Sequence, residues 1–217
     1  QETLSIAQSL YEKHKVLSYP RTASNYLSED MYSIIPDLML LLSKFHSKKE
    51  IILDLLKLDL SKKPINNNKI TDHHAIIPTE ISPNFSSFSE TETNIYNLVI
   101  NRFIEAFMPE CLKESTKYLF AISEGNFTAS SIIIKKEGWR AIQKKVIITE
   151  EAEEDLQNLP LLKVGDKVKI IEKNTLEKFT KPLPFHTESS LLQLMETAGK
   201  LVEDENLKEA MKEGGLG

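Results

Sequence analysis

The hydrophobic period of this chain changes near residue 112, and that change limits it to a mixed α+β architecture. Ser89-Glu-Thr-Glu92 has the form of a capping box, and Ile95, Leu98, Val99, Phe103 and Phe107 then recur on one helical face until Pro109 closes the run. Beyond Pro109 the spacing shortens to that of strands. Tyr118–Ile122 and Ala129–Ile134 read as the arms of a hairpin joined through Glu124-Gly-Asn-Phe127. Val164-Gly-Asp-Lys-Val168 reads as a turn entering a further strand through Lys169-Ile-Ile171, and helical spacing returns over Thr187–Lys200. The sequence therefore predicts a helix-rich unit followed, from about residue 112, by a strand-rich one.

Upstream, Leu4, Ala7, Leu10 and Tyr11 place a helix over residues 3–14. It should end before Ser18-Tyr-Pro-Arg-Thr22, because Pro20 lacks a backbone donor and disfavours helix at Tyr19. A second helix is expected from Ser28, whose hydroxyl could cap it, with Glu29 and Asp30 at the positive end of its dipole. Met31, Ile34, Ile35, Leu38, Leu42 and Phe45 recur along it, and Pro36 can shift its start. Residues 61–72 form a polar connection with turn chemistry.

At 217 residues, 41% hydrophobic and 27% charged, the chain can bury one large core or two small ones. Its longest apolar stretch, Ile34–Leu42, is interrupted by Pro36 and Asp37 and is too short to span a bilayer. The polar, acidic start does not resemble a signal peptide, and a single cysteine, Cys111, excludes an internal disulfide framework and a cysteine-based zinc site. A reducing cytoplasm is the expected setting. Gln1 in place of a methionine and the closing Gly-Gly-Leu-Gly217 suggest an interior piece of a longer protein. The net charge of −5 argues mildly against a nucleic-acid partner. The first 80 residues, however, hold ten Lys/Arg and ten Asp/Glu, so the acid excess lies entirely beyond them.

Two segments carry chemistry. In Leu17-Ser-Tyr-Pro-Arg-Thr-Ala-Ser24, a loop tyrosine stands two residues before an arginine. Tyr19 could attack phosphorus while the Arg21 guanidinium neutralises the charge developing on the non-bridging oxygens. Thr22 and Ser24 could add hydroxyl contacts to a neighbouring phosphate in DNA. Tyr-x-Arg is also a common spacing, so a packed loop tyrosine beside a surface arginine is the other reading. In Thr71-Asp-His-His-Ala-Ile-Ile-Pro-Thr79, adjacent histidines diverge on a strand or a helix and are poorly placed to share a metal. One of them could instead hydrogen-bond a phosphate, with Asp72 tuning its charge; a structural pair is the alternative.

Together, Tyr-Pro-Arg-Thr22 and Asp-His-His-Ala-Ile-Ile-Pro-Thr79 resemble the signature of type IA DNA topoisomerases, in the form of the topoisomerase III branch. The resemblance continues in Ile95-Tyr-x-Leu-Val-Ile-x-Arg-Phe103, in Gly138-Trp139, in Phe179-Thr-Lys-Pro-Leu-Pro-Phe-His-Thr-Glu188 and in Met211-Lys-Glu-Gly-Gly-Leu-Gly217, ordered along the whole chain. It implies that Tyr19 cuts single-stranded DNA through a 5′-phosphotyrosyl bond, that Arg21 accompanies it, and that His73 stands near the scissile phosphate. His74 receives no catalytic role.

The implied fold is α+β and multidomain, part of a toroid. Residues 1–112 would be a helical, winged-helix-like domain carrying the nucleophile. Residues 113–185 would be a β-rich arch and hinge segment, with pivots around Pro109 and Lys181-Pro-Leu-Pro184, and 186–217 would begin the return into the DNA-binding body. The resemblance also implies single-stranded DNA as partner, a helicase as a further candidate, a monomer, no membrane, and a cytoplasmic, nucleoid-associated bacterial location. Two features depart from it. Ala23 stands where the family usually has an acidic residue, and the family's Mg2+-binding acidic cluster belongs to an N-terminal domain outside this chain, so no metal site is expected here. The isolated chain is accordingly expected to be inactive, with a single-stranded-DNA-binding module that does not cleave as the alternative.

Overall fold

The computed structural model describes residues 2–70, 72–122, 125–143, 159–177, 179–180 and 182–211. The expected Glu124, Lys181 and the glycine-rich run at 213–217 lie outside these residues. Among them are six α-helices and one two-stranded antiparallel sheet, a mixed α+β content. The chain forms two compact units, residues 1–162 and 163–217.

In the first unit, α1 (Glu2–Glu12) buries Ala7 and Leu10, as its spacing predicts. The next element begins as a 3-10 turn, Asp30–Ile34, and becomes the helix α2 (Ile35–Ser43) only where Pro36 falls in its first turn. Proline is tolerated there because the first-turn N–H groups have no intrahelical partner. The expected cap at Ser28 is not formed. Glu29 occupies the cap of the 3-10 turn without a side-chain bond, and its N–H is instead satisfied by Asn67 Oδ1 at 2.9 Å. A short helix, α3 (Lys49–Leu55), buries Ile52 and Leu55 and was not foreseen. Seven residues hold too few turns for a periodic signal.

The long helix α4 (Glu90–Phe107) carries the predicted capping box. Ser89 Oγ accepts from the Glu92 N–H at 3.1 Å, and the Glu92 carboxylate accepts from the Ser89 N–H at 2.7 Å. Tyr96, Ile100, Phe103, Ile104 and Phe107 of α4 meet Leu10, Val16 and Leu17, and Leu38, Met39 and Leu42 of α2, in one continuous core.

The strands β1 (Leu112–Ile122) and β2 (Gly125–Lys136) form the predicted hairpin, longer at both ends than the alternating runs suggested. Tyr118 faces Ala129 and Phe120 faces Phe127, with an irregularity between Leu112 and Lys113. Tyr118 Oη anchors the chain at 160–162, donating to the Pro160 carbonyl at 2.8 Å and accepting from the Leu162 N–H at 3.1 Å. At the feet of the hairpin, the Trp139 N–H donates to the Pro109 carbonyl at 3.0 Å. Gly138 sits at φ +52°, where an added Cβ would collide with the backbone of Pro109 and Glu110.

The second unit contains α5 (Glu188–Glu196), opened by a box between Thr187 and Ser190, then a 3-10 turn at Ala198–Leu201 and α6 (Glu205–Ala210). The helix expected over 187–200 therefore ends four residues early. The strand expected at 169–171 is not formed. The turn before it is present, with Gly165 at φ +95° and Asp166 Oδ2 accepting from the Lys163 N–H at 2.8 Å. Ile170 and Ile171 are exposed, and among the described residues no strand pairs with them. A strand without a partner leaves its backbone groups to water and has no ladder to hold it.

Candidate active site

The two chemistry-bearing segments, the tyrosine loop and the histidine segment, are stitched together through their backbones. After α1 the chain turns through Lys15, which adopts φ 60°, a left-handed conformation uncommon outside glycine. The Thr79 hydroxyl donates to the Lys15 carbonyl at 2.6 Å and steadies this turn. Leu17 then bridges Pro78 in antiparallel fashion, flanked by bonds from the Thr79 N–H to the Val16 carbonyl (3.0 Å) and from the Ser18 N–H to the Ile77 carbonyl (2.9 Å). Ser18 Oγ accepts from the Ile77 N–H at 2.9 Å, and the Ala75 N–H donates to the Tyr26 carbonyl at 2.8 Å. Segment 75–79 thus lies between the two sides of the tyrosine loop. Buried Val16, Leu17 and Ile77 tie it to the core.

This stitching sets Tyr19 against His73. Their ring centroids are 4.5 Å apart at 47°, and the edge of Tyr11, from α1, meets Tyr19 at 5.5 Å and 80°. Tyr19 is packed on two sides and still 37% exposed, and His73 is also exposed, so a phosphodiester can reach both. The Arg21 guanidinium donates to Gln8 Oε1 at 3.3 Å, and Gln8 in turn donates to Glu12 Oε1 at 2.9 Å. Gln8, Tyr11 and Glu12 share one side of α1, as their i, i+3 and i+4 spacing requires. The sequence reading placed only Tyr11 of these, on one face of the helix with Leu4, Ala7 and Leu10. The signal available for the other two was their position on the helix immediately before the loop.

Thr22 and Ser24 brace the loop. The Thr22 hydroxyl donates to the His73 carbonyl at 2.9 Å and accepts from the Ser24 N–H at 3.1 Å. The Ser24 hydroxyl donates to the Lys69 carbonyl at 2.8 Å and accepts from the Tyr26 N–H at 3.1 Å. Thr22 therefore joins the tyrosine loop directly to the residue that carries the histidine ring. His74 turns away, its Nδ1 donating to the Ala75 carbonyl at 2.7 Å. Beside the loop opens a groove of about 610 Å3, lined by Thr22, Ser24 and Asn25 on one side and by Val99, Arg102 and Phe103 of α4 on the other.

The helix that bears Gln8 and Tyr11 is itself fixed by a buried carboxylate. Glu92 Oε1 accepts from Ser9 Oγ at 2.7 Å and from His14 Nε2 at 3.2 Å, while its other oxygen serves the capping box. The Ser89 N–H, then the Ser9 hydroxyl, and lastly the His14 charge favour the ionised form and hold Glu92 at about 2.

Among the described residues no three His, Cys, Asp or Glu side chains come together in a way that could hold a metal ion. The carboxylates nearest in sequence to the paired segments, Asp72 and Glu80, are both exposed loop groups. No described helix is long and apolar enough to cross a membrane.

Comparison with known proteins agrees with this arrangement along the whole chain. A family model described as DNA topoisomerase matches residues 1–217. DNA topoisomerase 3 of Bacillus licheniformis is 36% identical over 223 residues, covering all of this chain and 30% of the relative. DNA topoisomerase 3 of Bacillus subtilis is 35% identical and that of Staphylococcus aureus 34%, each again over the whole chain and 30% of the relative. The chain thus spans about a third of the length of these relatives. With the match extending from one end of it to the other, the chain belongs to the type IA DNA topoisomerase family.

Proposed function

We propose that this chain carries the DNA-cutting half of a type IA topoisomerase active site, with Tyr19 as nucleophile. The observation that supports this best is the Tyr19–His73 contact, an exposed phenol against an exposed imidazole, held by backbone pairing between distant segments. The Tyr19 oxygen attacks a phosphodiester of single-stranded DNA. The P–O3′ bond breaks, the phenol's proton leaves to solvent or a neighbouring base, and the 3′ oxygen takes a proton from solvent and departs as a hydroxyl. The product is a 5′-phosphotyrosyl ester. Arg21 supplies fixed positive charge to the phosphoryl oxygens, and His73 donates a hydrogen bond to the same phosphate. Religation is the reverse reaction, with the 3′ hydroxyl attacking the ester and Tyr19 leaving. The bond energy stays in the ester throughout, so strand passage and closure require no nucleotide hydrolysis.

Thr22 and Ser24 act first as braces and contact the DNA backbone only by exchanging a loop bond for a phosphate oxygen. The family's Mg2+ does not fit the side chains described here, and we place it on a part of the longer protein outside this chain. The chain alone would then bind single strands weakly without cutting them, which is also the content of the second reading, a non-cleaving single-strand module. In the longer protein, residues 1–112 would form the winged-helix-like nucleophile domain, 113–185 the arch and hinge of a toroid, and 186–217 the return to the body. We expect a monomer working on the bacterial nucleoid with a helicase as companion.

The decisive experiment is Tyr19→Phe in the complete protein. Covalent protein–DNA adduct should fall below detection while oligonucleotide binding persists; an adduct that survives would sink the assignment. Adding the N-terminal part of the protein back to this chain should restore cleavage of single-stranded DNA. Failure of that complementation, with both parts folded, would favour the non-cleaving module.

A further inference from the structure

A second pocket, with none of the tyrosine-loop residues in its lining, lies between α4 and the turn that precedes α3. It has a volume of about 680 Å3, within the roughly 300–1,000 Å3 usual for small-ligand sites. Three asparagines of α4, Asn94, Asn97 and Asn101, line it at helical spacing, together with Phe45, Phe85 and Lys48. No carboxylate lines it, in a chain that carries a net charge of −5. Lys44 and Lys49 flank the same turn, so Lys44-Phe-His-Ser-Lys-Lys49 gathers three lysines around an aromatic ring and a histidine.

The walls are preformed. Phe85 is 37% exposed, yet its ring is fixed edge-on by Phe45 at 5.5 Å, Phe88 at 5.5 Å and Tyr96 at 6.0 Å. His46 is fixed as well. Its Nδ1 accepts from the Lys48 N–H at 3.0 Å, which leaves Nε2 to donate to Asn101 Oδ1 at 2.8 Å. Asn101 is thereby oriented with its amide N–H groups unspent, and the exposed Asn94 and Asn97 side chains have no hydrogen-bond partner among the described residues. Rigid aromatic surface, amides offering donor and acceptor together, and lysines without competing acid are the components that hold an unstacked base and its flanking phosphates.

We infer that this pocket is a second contact for single-stranded DNA, taking one splayed nucleotide with its base on Phe85, its edge on the Asn94–Asn97 amides and its phosphates on Lys48 and its neighbours. This rests on single-stranded DNA as the substrate but not on the role of Tyr19. It would hold a stretch of strand other than the one at Tyr19, so that the molecule grips DNA at two places.

The test is fluorescence anisotropy of a labelled oligothymidylate with the 217-residue chain at low salt, joined to photo-crosslinking with a 4-thiothymidine strand. Asn97→Asp and Lys48→Glu should each weaken binding about fivefold or more, the scale of one lost base contact. Lys57→Glu, an equal change of charge at an exposed lysine just beyond α3, should weaken it less than about twofold. Crosslinks should appear on the peptides containing Phe45 or Phe85. Equal losses from Lys48→Glu and Lys57→Glu, no measurable binding by the unmodified chain, or crosslinks confined to peptides containing Tyr19 and His73 would each overturn the pocket. The last result would leave the Tyr19 reading intact. Competition by free thymidine monophosphate as strong as by the strand would also overturn it, by showing a mononucleotide site.

Discussion

The tyrosine loop and the hairpin sit in one compact unit and are held in opposite ways. Around Tyr19, segments more than fifty residues apart exchange backbone bonds, and the core beneath them is closed, with Leu10, Leu42, Ile100 and Ile104 fully buried. The hairpin is held mostly by its own ladder. Leu119 is 67% exposed and Phe127 53%, and among the described residues Tyr118 Oη and the feet at Pro109 and Trp139 fasten it to the rest of the unit. A site that must keep a phenol and an imidazole in register needs many long-range ties. A two-stranded ribbon with exposed apolar side chains is marginal alone and is suited to rest against other surfaces. The difference teaches where rigidity is concentrated in this chain.

The contrast is broken most sharply by truncating one large side chain in each region. Phe107→Ala, in the closed core, should destabilise the chain by about 3–5 kcal/mol in urea unfolding, and Leu119→Ala by less than about 1 kcal/mol. Comparable losses at the two positions would mean that the hairpin is as tightly packed as the helices.

Next in size is the junction between them. Gly138→Ala would demand a left-handed alanine and would press its Cβ into the Pro109–Glu110 backbone. A cost of about 2–3 kcal/mol is expected. Trp139 is the chain's single tryptophan, so its fluorescence should shift to the red at denaturant concentrations where helical circular dichroism is still intact. Simultaneous loss of both signals would show that the feet of the hairpin and the core unfold as one.

The sequence made some of this visible and hid the rest for physical reasons. The box at Ser89 and Glu92 and the alternating hairpin are local patterns, and both form as predicted. The two motifs also meet, at the Tyr19–His73 ring contact, which their spacing alone does not specify. The failures are those of non-local partners. Residues 169–171 have strand character, but strand formation depends on a neighbour that their own sequence does not specify. Hidden in the same way are the backbone acceptors of the Thr22 and Ser24 hydroxyls, the His73 and Lys69 carbonyls, which come from far along the chain. Gln8 was overlooked because its value lies in reaching Arg21 across the turn after α1.

The buried carboxylate sharpens the comparison through pH. Glu92 is held at about 2, below its ordinary 4.5, so the folded state favours its ionised form more than the unfolded state does. Its contribution is complete above pH 4.5 and is lost as pH falls from there toward 2. Glu92→Gln should cost about 1–2 kcal/mol near neutrality, and the two stability curves should converge as pH approaches 2. Parallel curves across that window would show that the Ser9 and His14 contacts contribute nothing through charge. Because these contacts tie α1 to α4, hydrogen exchange should rise in α1 before it rises in β1 and β2.

The smallest expected effect runs the other way and concerns the closed core itself. Tyr96 is fully buried, and its hydroxyl has no hydrogen-bond partner among the described residues. Burial also pushes its ionisation well above the ordinary tyrosine range, so the group is a neutral phenol. Its ring packs edge-on against Phe85 and Phe88, contacts that a phenylalanine would keep. Removing a buried unsatisfied hydroxyl while preserving the ring should relieve its desolvation cost, and Tyr96→Phe should stabilise the chain by about 1 kcal/mol. Urea unfolding monitored by helical circular dichroism would measure it, since the helices dominate that signal. A loss of stability would mean that the hydroxyl finds a partner, such as an ordered water, and that the helical core is less dry than its burial indicates. That outcome would narrow the contrast with the hairpin from the core side, where the truncation series cannot reach it.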